Sequence, residues 1–335
     1  MNTKNIHSGL KGKIINEIFP ILPFNIKRIL KKIPGEYLLK MEEIRIRQAR
    51  PLMVVVGNED FLVSEDGDIN TKEGYVVTKE DVIKTLQLIS QNSIYAVEDE
   101  IKNGYITVSG GHRVGLAGKA LLEGNKIKTL KHISCFNIRI AREIQGVADT
   151  ILPHIIDNNK RIYSTLIISP PKAGKTTLLR DIIRQLSYGV PRYGVKGFKI
   201  GLVDERSEIA CCHEGVPQND VGIRTDIIDS CPKELGIMML LRSMSPEIIA
   251  TDEIGKPEDA HAIEEALNAG VTIITTAHGS NLDEMERRPT LKRLIELNVF
   301  NRFLILGFTK GVGSLEKVIS GEDFSVLYDL HKGVT

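Results

Sequence analysis

The nine residues Ser169-Pro170-Pro171-Lys172-Ala173-Gly174-Lys175-Thr176-Thr177 join a run of strand character, YSTLII, to an amphipathic run of helical character, LLRDIIRQL. A chain that passes from strand through such a loop into a helix aims successive backbone N–H groups and the positive end of a helix dipole at one point. Phosphate oxygens fit that point. Lys175 would then place its ammonium on the β- and γ-phosphates of ATP, and the Thr176 hydroxyl would reach Mg²⁺. A capped helix with an unrelated lysine is the plainer alternative, and the strand before and the helix after argue against it.

One position departs from the usual spacing G-x-x-x-x-G-K-S/T: Ser169 stands where the first glycine is expected. Glycine gives a tight loop access to left-handed backbone, whereas Pro170 pushes Ser169 towards extended backbone that serine adopts without strain. Pro170 and Pro171 lack N–H groups but precede the amides that would hold phosphate. Nucleotide binding is expected to survive, at some cost in affinity.

A phosphate loop needs carboxylates beside it. The run Ser245-Pro246-Glu247-Ile248-Ile249-Ala250-Thr251-Asp252-Glu253 is an apolar strand ending in two of them. Asp252 is assigned to Mg²⁺, through water, and Glu253 to the attacking water, the division of labour that in-line attack on a γ-phosphate requires. Ile200 to Arg206 is another strand ending in carboxylates, which nominates Glu205, and Thr275-Thr276-Ala277-His278-Gly279 closes a further one, which nominates His278. Parallel strands bring their carboxyl ends to a common crevice. Transition-state charge also calls for a cation, and the candidates are Arg224, Arg242, Arg139 and Arg142. Cys211-Cys212-His213 with Cys231 fits no regular four-ligand zinc spacing.

The halves of the chain differ in pattern. Short β-type runs before residue 78 (EEIRIR, LMVVV, FLVS, YVV), a helix opened by Thr78 with Asp81 three residues on, and strands over 105–142 predict an α+β domain across residues 1–150. In that helix Val82, Ile83, Leu86 and Ile89 are expected on one buried face. A helix-like link is expected at 148–159. From Arg161 on, apolar runs alternate with helix-length segments, which predicts a mainly parallel sheet covered by helices over residues 151–335, an α/β core.

Composition adds exclusions. With 44 Lys+Arg against 43 Asp+Glu, the formal net charge of +1 supplies no overall field for nucleic acid or membrane. Residues 1–50 do carry eleven Lys or Arg against four Glu, a basic stretch read as a solvated helical face or, less simply, as a docking patch for an anionic partner. Four cysteines in 335 residues favour reduced thiols and a cytoplasmic location. The first twenty residues hold no apolar stretch of signal-peptide length, and no run approaches the roughly 20 residues that span a bilayer.

The combination PPKAGKTTLLRD, VDERSEIA, GIRTDIIDSCPK, LLRSMSPEIIATDEIG and TTAHG, with EEIRIRQARPL and GGHRVGLAG in the first half, resembles the stage III sporulation protein AA family. Members of that family are similar to type II and type IV secretion ATPases. The resemblance implies a RecA-like P-loop core preceded by a separate N-terminal domain, a homohexameric ring, and Glu205 and His278 in the acidic and histidine boxes of those ATPases. It further implies work in the mother cell of an endospore former, peripheral to the membrane, on membrane proteins of the stage III channel complex facing the forespore.

Two other readings stay open. A nucleic-acid-dependent ATPase is disfavoured by 5% aromatic content, no Trp and no aromatic platform interleaved with Lys and Arg. A nucleotide-gated scaffold with little hydrolysis is motivated by Ser169.

Overall fold

The computed structural model describes residues 14–57, 59–69, 72–124 and 126–334. Lys4, Lys11 and Lys13 of the basic stretch, and Asn125 of an expected turn, lie outside them. The chain forms two compact units that meet in sequence between Arg142 and Glu143, ahead of the boundary expected at 150.

The first unit is built on a six-stranded sheet: β1 (Met41–Arg47), β2 (Met53–Val56), β3 (Glu59–Leu62), β4 (Tyr105–Val108), β5 (His112–Glu123) and β6 (Lys126–Arg139). The order is β3-β2-β1-β6-β5-β4, antiparallel throughout. Strand alternation sorts the side chains. Ile44, Ile46, Val114, Leu116, Phe136 and Ile138 are buried in the core of this unit, while Arg45, Arg47, Arg113 and Arg139 alternate with them. The YVV run forms only a bridge, Pro51 to Val76, because the chain turns away directly into a helix.

That helix, α1 (Lys79–Ile89), starts at a capping box: the Asp81 amide donates to Thr78 Oγ1 at 3.1 Å, and the Thr78 amide donates to Asp81 Oδ2 at 2.9 Å. Val82 and Ile89 are buried as expected, but Ile83 is 47% exposed and Thr85 takes the inner position. Thr85 is accepted there because its hydroxyl donates to the Asp81 carbonyl at 2.7 Å.

The second unit carries nine strands: β7 (Thr165–Ser169), β8 (Ile200–Asp204), β9 (Thr225–Asp229), β10 (Ile248–Thr251), β11 (Thr272–His278), β12 (Arg302–Gly307), β13 (Ser314–Ser320), β14 (Val326–Asp329) and β15 (Gly333–Val334). Their order is β15-β14-β13-β12-β7-β11-β10-β8-β9. The run from β9 to β12 is parallel, and β13, β14 and β15 extend it antiparallel. The expected link over 148–159 shrinks to one helical turn, Leu152–Ile155.

Helices cover both faces, as two separate apolar clusters record. On one, Ile167, Ile274 and Ala250 pack with Leu179, Ile182 and Ile183 of α2 (Lys175–Tyr188). On the other, Leu166, Ile168, Ile249 and Ile273 pack with α3 (Lys233–Ser243), α4 (Pro257–Asn268) and α5 (Pro289–Glu296), through Ile237, Ile263 and Leu294. Burial on both faces explains why these strands read as continuous apolar runs rather than alternating ones. Among the described residues no helix is long and apolar enough to cross a membrane.

Candidate functional site

The carboxyl edge of the parallel strands gathers chemistry. Ser169 ends β7, Asp204 ends β8 with Glu205 next, Asp252 and Glu253 follow β10, and His278 ends β11. The registers place Thr251 beside Thr275 and His278 beside Ser169, so these ends lie in one row.

The loop from Ser169 to Lys175 is shaped for that edge. Ser169 is fully buried, its hydroxyl donates to the Pro170 carbonyl at 3.1 Å, and its backbone is not left-handed, so glycine is not required there. Left-handed backbone occurs instead at Lys172 (φ 63°) and at Gly174 (φ 79°), which caps α2. Pro171 and Lys172 are exposed, and Ala173 is buried, its amide donating to the Pro170 carbonyl at 3.3 Å. Lys175, Thr176 and Thr177 form the first turn of α2, where backbone N–H groups have no partner within the helix.

Lys175 Nζ lies 3.0 Å from Nε2 and 3.3 Å from Nδ1 of His278, and His278 Nε2 lies 3.1 Å from Glu253 Oε1. One tautomer serves both neighbours: Nε2–H donates to Glu253 and Nδ1 accepts from Lys175. Burial holds the Lys175 ammonium below its ordinary lysine range, with the Glu253 carboxylate pulling it back. Glu253 Oε2 faces Arg206 Nη1 at 3.5 Å.

A second chain of charges runs beside the first. Lys233, at the start of α3 and only 4% exposed, pairs with Glu205 and with Asp252 Oδ1, the latter at 3.2 Å. Lys256 Nζ meets the other Glu205 oxygen at 3.1 Å. Burial pushes Asp252 above the usual carboxylate range although Lys233 opposes it. Burial would also raise Glu205, but hydrogen bonds from Lys233 and Lys256 outweigh it and hold the group low. A buried lysine between two carboxylates is stable only because both partners compensate its desolvation.

Asp204 anchors the loop that carries Glu205. Its carboxylate accepts from the amides of Glu208, Ile209 and Ala210 at 2.9, 2.9 and 2.8 Å. From the opposite side, Arg180 of α2 donates to the carbonyls of Ile209 and Glu208, both at 2.6 Å.

Sequence reasoning nominated Glu205, Asp252, Glu253, Lys175, Thr176 and His278, and all lie at this edge, Lys175 and Thr176 where α2 begins and the others at or just after strand ends. It missed Lys233, Arg206 and Asp204. Arg224 is not brought here. It precedes β9 at the amino edge and donates through Nη1 to the Ser187 carbonyl at 2.8 Å, at the far end of α2, roughly 20 Å of helix from Lys175. Arg242 lies exposed in the last turn of α3, roughly 13 Å of helix from Lys233. Arg139 pairs with Glu43 at 3.9 Å, and Arg142 donates to the carbonyls of Leu39 and Met41, all within the first unit.

The donor set fits a nucleotide triphosphate with Mg²⁺: an ammonium and a helix amino end for phosphate, a hydroxyl and a buried carboxylate for a hard cation. Thr276 Oγ1, two residues before His278, is a buried hydroxyl without a hydrogen-bond partner, so the edge retains unused polar capacity. No three His, Cys, Asp or Glu among the described residues cluster as a metal cage, so Mg²⁺ would be held by Thr176, phosphate oxygens and water, with Asp252 on the water shell.

Comparison with known proteins follows the same lines. The fold resembles that of the pilus retraction motor PilT, solved with bound ADP (TM-score 0.53, 13% identity, 80% of this chain and 75% of that one). It also resembles the ATPase DotB of Yersinia pseudotuberculosis (TM-score 0.51, 14% identity, 84% of this chain and 76% of that one). In sequence, stage III sporulation protein AA of Bacillus subtilis (strain 168) is 44% identical over 304 residues, 91% of this chain and 94% of the relative. Residues 13–324 match the family described as sporulation stage III, protein AA, and to that family the chain belongs.

Proposed function

We propose that the chain is an ATP-binding and ATP-hydrolysing motor of the secretion-ATPase type. In this reading it serves the membrane channel complex between mother cell and forespore during endospore formation, from the mother-cell cytoplasm and through membrane-protein partners, as a hexameric ring. The observation that carries the reading is the convergence of Lys175, His278, Glu253 and Asp252 on one strand edge behind a left-handed Gly174. Residues Ser169 to Thr177 wrap the phosphates, with Lys175 on the β- and γ-oxygens. Thr176 would hold Mg²⁺, with Asp252 on its water shell, and the ion would supply charge neutralisation for the phosphates. Glu253 orients the attacking water, and His278, already between Lys175 and Glu253, couples phosphate occupancy to the position of that carboxylate.

The scaffold alternative took its motive from Ser169; that residue is buried with backbone outside the left-handed region, where glycine is not required, and this supports the motor reading. The test is binding of a fluorescent ATP analogue, with subunit mass recorded with and without ATP, for the unaltered chain and for Lys175→Ala. Tight binding lost in the variant, together with a ring-sized species, is expected. Equal binding by both chains would contradict the reading.

A further inference from the structure

The hairpin of β5 and β6 outgrows its sheet. Pairing with β1 ends where the Gln48 amide donates to the Ser134 carbonyl at 2.9 Å, and pairing with β4 ends where the Leu116 amide donates to the Gly104 carbonyl at 2.8 Å. Past those points the two strands pair only with each other among the described residues: Lys119 with Lys131, Ala120 with Leu130, Leu121 with Thr129 and Leu122 with Ile127. From Ala117 to Glu123 the ribbon runs roughly 20 Å. Two strands alone are marginally stable in water, and Ile133 and Leu130 fasten the ribbon by leaning on the apolar core of the first unit.

The outer part carries side chains that water does not favour in this arrangement. Leu122 and Ile127 stand opposite each other at the tip, 66% and 49% exposed. Lys119 and Lys131, both exposed, stand opposite each other nearer the base, and neither has a hydrogen-bond or ion-pair partner among the described residues. Like charges directly across a ribbon repel.

We infer that this ribbon binds the surface of a bilayer carrying anionic lipid, with Leu122 and Ile127 entering the headgroup region and Lys119 and Lys131 meeting lipid phosphates. No residue of the phosphate edge takes part, so the inference stands apart from the ATPase reading and adds a direct lipid contact to the one made through protein partners.

Three observations carry it. The spacing fits: Lys131 lies four residues from Ile127 along β6, roughly 13 Å, so a tip sunk about 5–10 Å into the headgroup and acyl boundary leaves both ammonium groups at the phosphates. The charge fits, since lipid phosphates between Lys119 and Lys131 turn their mutual repulsion into attraction for a common anionic surface. The size fits a fluid surface better than a protein, because the end of two strands offers two branched side chains rather than the roughly 800 Å² per partner of a stable protein interface. Lysines alone would serve to keep open strand edges from pairing with another chain, but that does not account for two apolar side chains held in water at the tip. Lys128, by contrast, is occupied by Glu123 at 3.0 Å.

The experiment uses the full chain and vesicles of phosphatidylcholine with phosphatidylglycerol, beside vesicles of phosphatidylcholine alone. Because the chain has no Trp, Leu122→Trp places a single indole at the tip. Its emission should shift to the blue and be quenched by brominated acyl chains in the anionic vesicles, and do neither in the neutral ones. In co-sedimentation, the double variants Leu122→Ser with Ile127→Ser and Lys119→Gln with Lys131→Gln should each lower vesicle partitioning at least about tenfold, with circular dichroism unchanged, and added salt should weaken binding of the unaltered chain. Absence of the blue shift with protein-free anionic vesicles would overturn the inference and leave the tip to a protein partner. Equal sedimentation of the unaltered chain and both double variants would overturn it by placing lipid contact elsewhere on the molecule. Loss in the lysine variant alone would also overturn it, since charge would then adsorb the chain with no insertion of the tip.

Discussion

Glu253 Oε1 lies 3.1 Å from His278 Nε2, joining the ends of two adjacent parallel strands by a side-chain hydrogen bond. Each residue ends a different apolar run, and neither run is near the other in sequence. The contact exists because β10 and β11 pair in register, so whatever occupies the His278 side reaches Glu253 within one bond. Lys175 Nζ lies against the same imidazole, 3.0 Å from Nε2 and 3.3 Å from Nδ1, and in the proposed ATPase it is Lys175 that would bring the nucleotide phosphate there.

Replacing His278 by Ala should therefore uncouple water orientation from phosphate binding. Steady-state ATPase assays should give a turnover about 10- to 100-fold lower, with KM little changed. Unchanged turnover would place His278 outside the chemistry.

Gly174→Ala tests the phosphate loop without removing any charge. Its φ of 79° disfavours a side chain, and an added Cβ would lie 3.3 Å from Val312 Cγ1. A left-handed Ala costs about 1–2 kcal/mol, enough to weaken ATP binding by about tenfold if the loop relaxes away from its cradle. Titration calorimetry with ATP measures the loss.

Asp204 makes a prediction about pH. Burial pushes its carboxyl from 3.8 to about 6, against hydrogen bonds from the Ala210 and Glu208 amides. Because the folded state keeps a proton that the unfolded state releases, this residue's contribution to stability falls as pH rises from about 4 to 6 and is level above. The full fall is about 3 kcal/mol at most. Urea unfolding at several pH values should show the gap between the unaltered chain and Asp204→Asn shrinking across that window; a gap independent of pH would contradict it.

Arg180→Ala removes both hydrogen bonds that hold the carbonyls of Glu208 and Ile209. A stability loss of about 2–4 kcal/mol is expected for two charge-assisted bonds at a buried position. Hydrogen exchange should accelerate at the amides of residues 208–210, ahead of the rest of the unit. Exchange that rises uniformly across the unit would show that the loop is not held locally.

How much of this was legible in the sequence differs by residue. The strand, loop and helix around Gly-Lys-Thr were, since that triplet between an apolar run and an amphipathic one has few structural alternatives, and so was the capping box at Thr78. The strands β7, β8, β10 and β11 were legible because burial on both faces leaves uninterrupted apolar runs. By contrast β9, TDIID, is half-buried at the sheet edge and alternates with acids, so it did not announce itself. Without β9 the sequence offered no place for Arg224, which stands immediately before that strand and so at the amino edge. Lys233 and Arg206 could not have been found by spacing. Their roles arise because α3 begins beside the ends of β8 and β10 and because Asp204 and Arg180 fold residues 205–210 back onto the edge, both products of tertiary packing.

The most direct test of the central claim is Mg²⁺-dependent ATP turnover of the purified chain beside Glu253→Gln. The account predicts measurable hydrolysis that falls at least about 100-fold in the variant, whose ATP remains bound and unhydrolysed. Equal turnover by the two chains, or tight ATP binding by the unaltered chain with no hydrolysis at all, would contradict it.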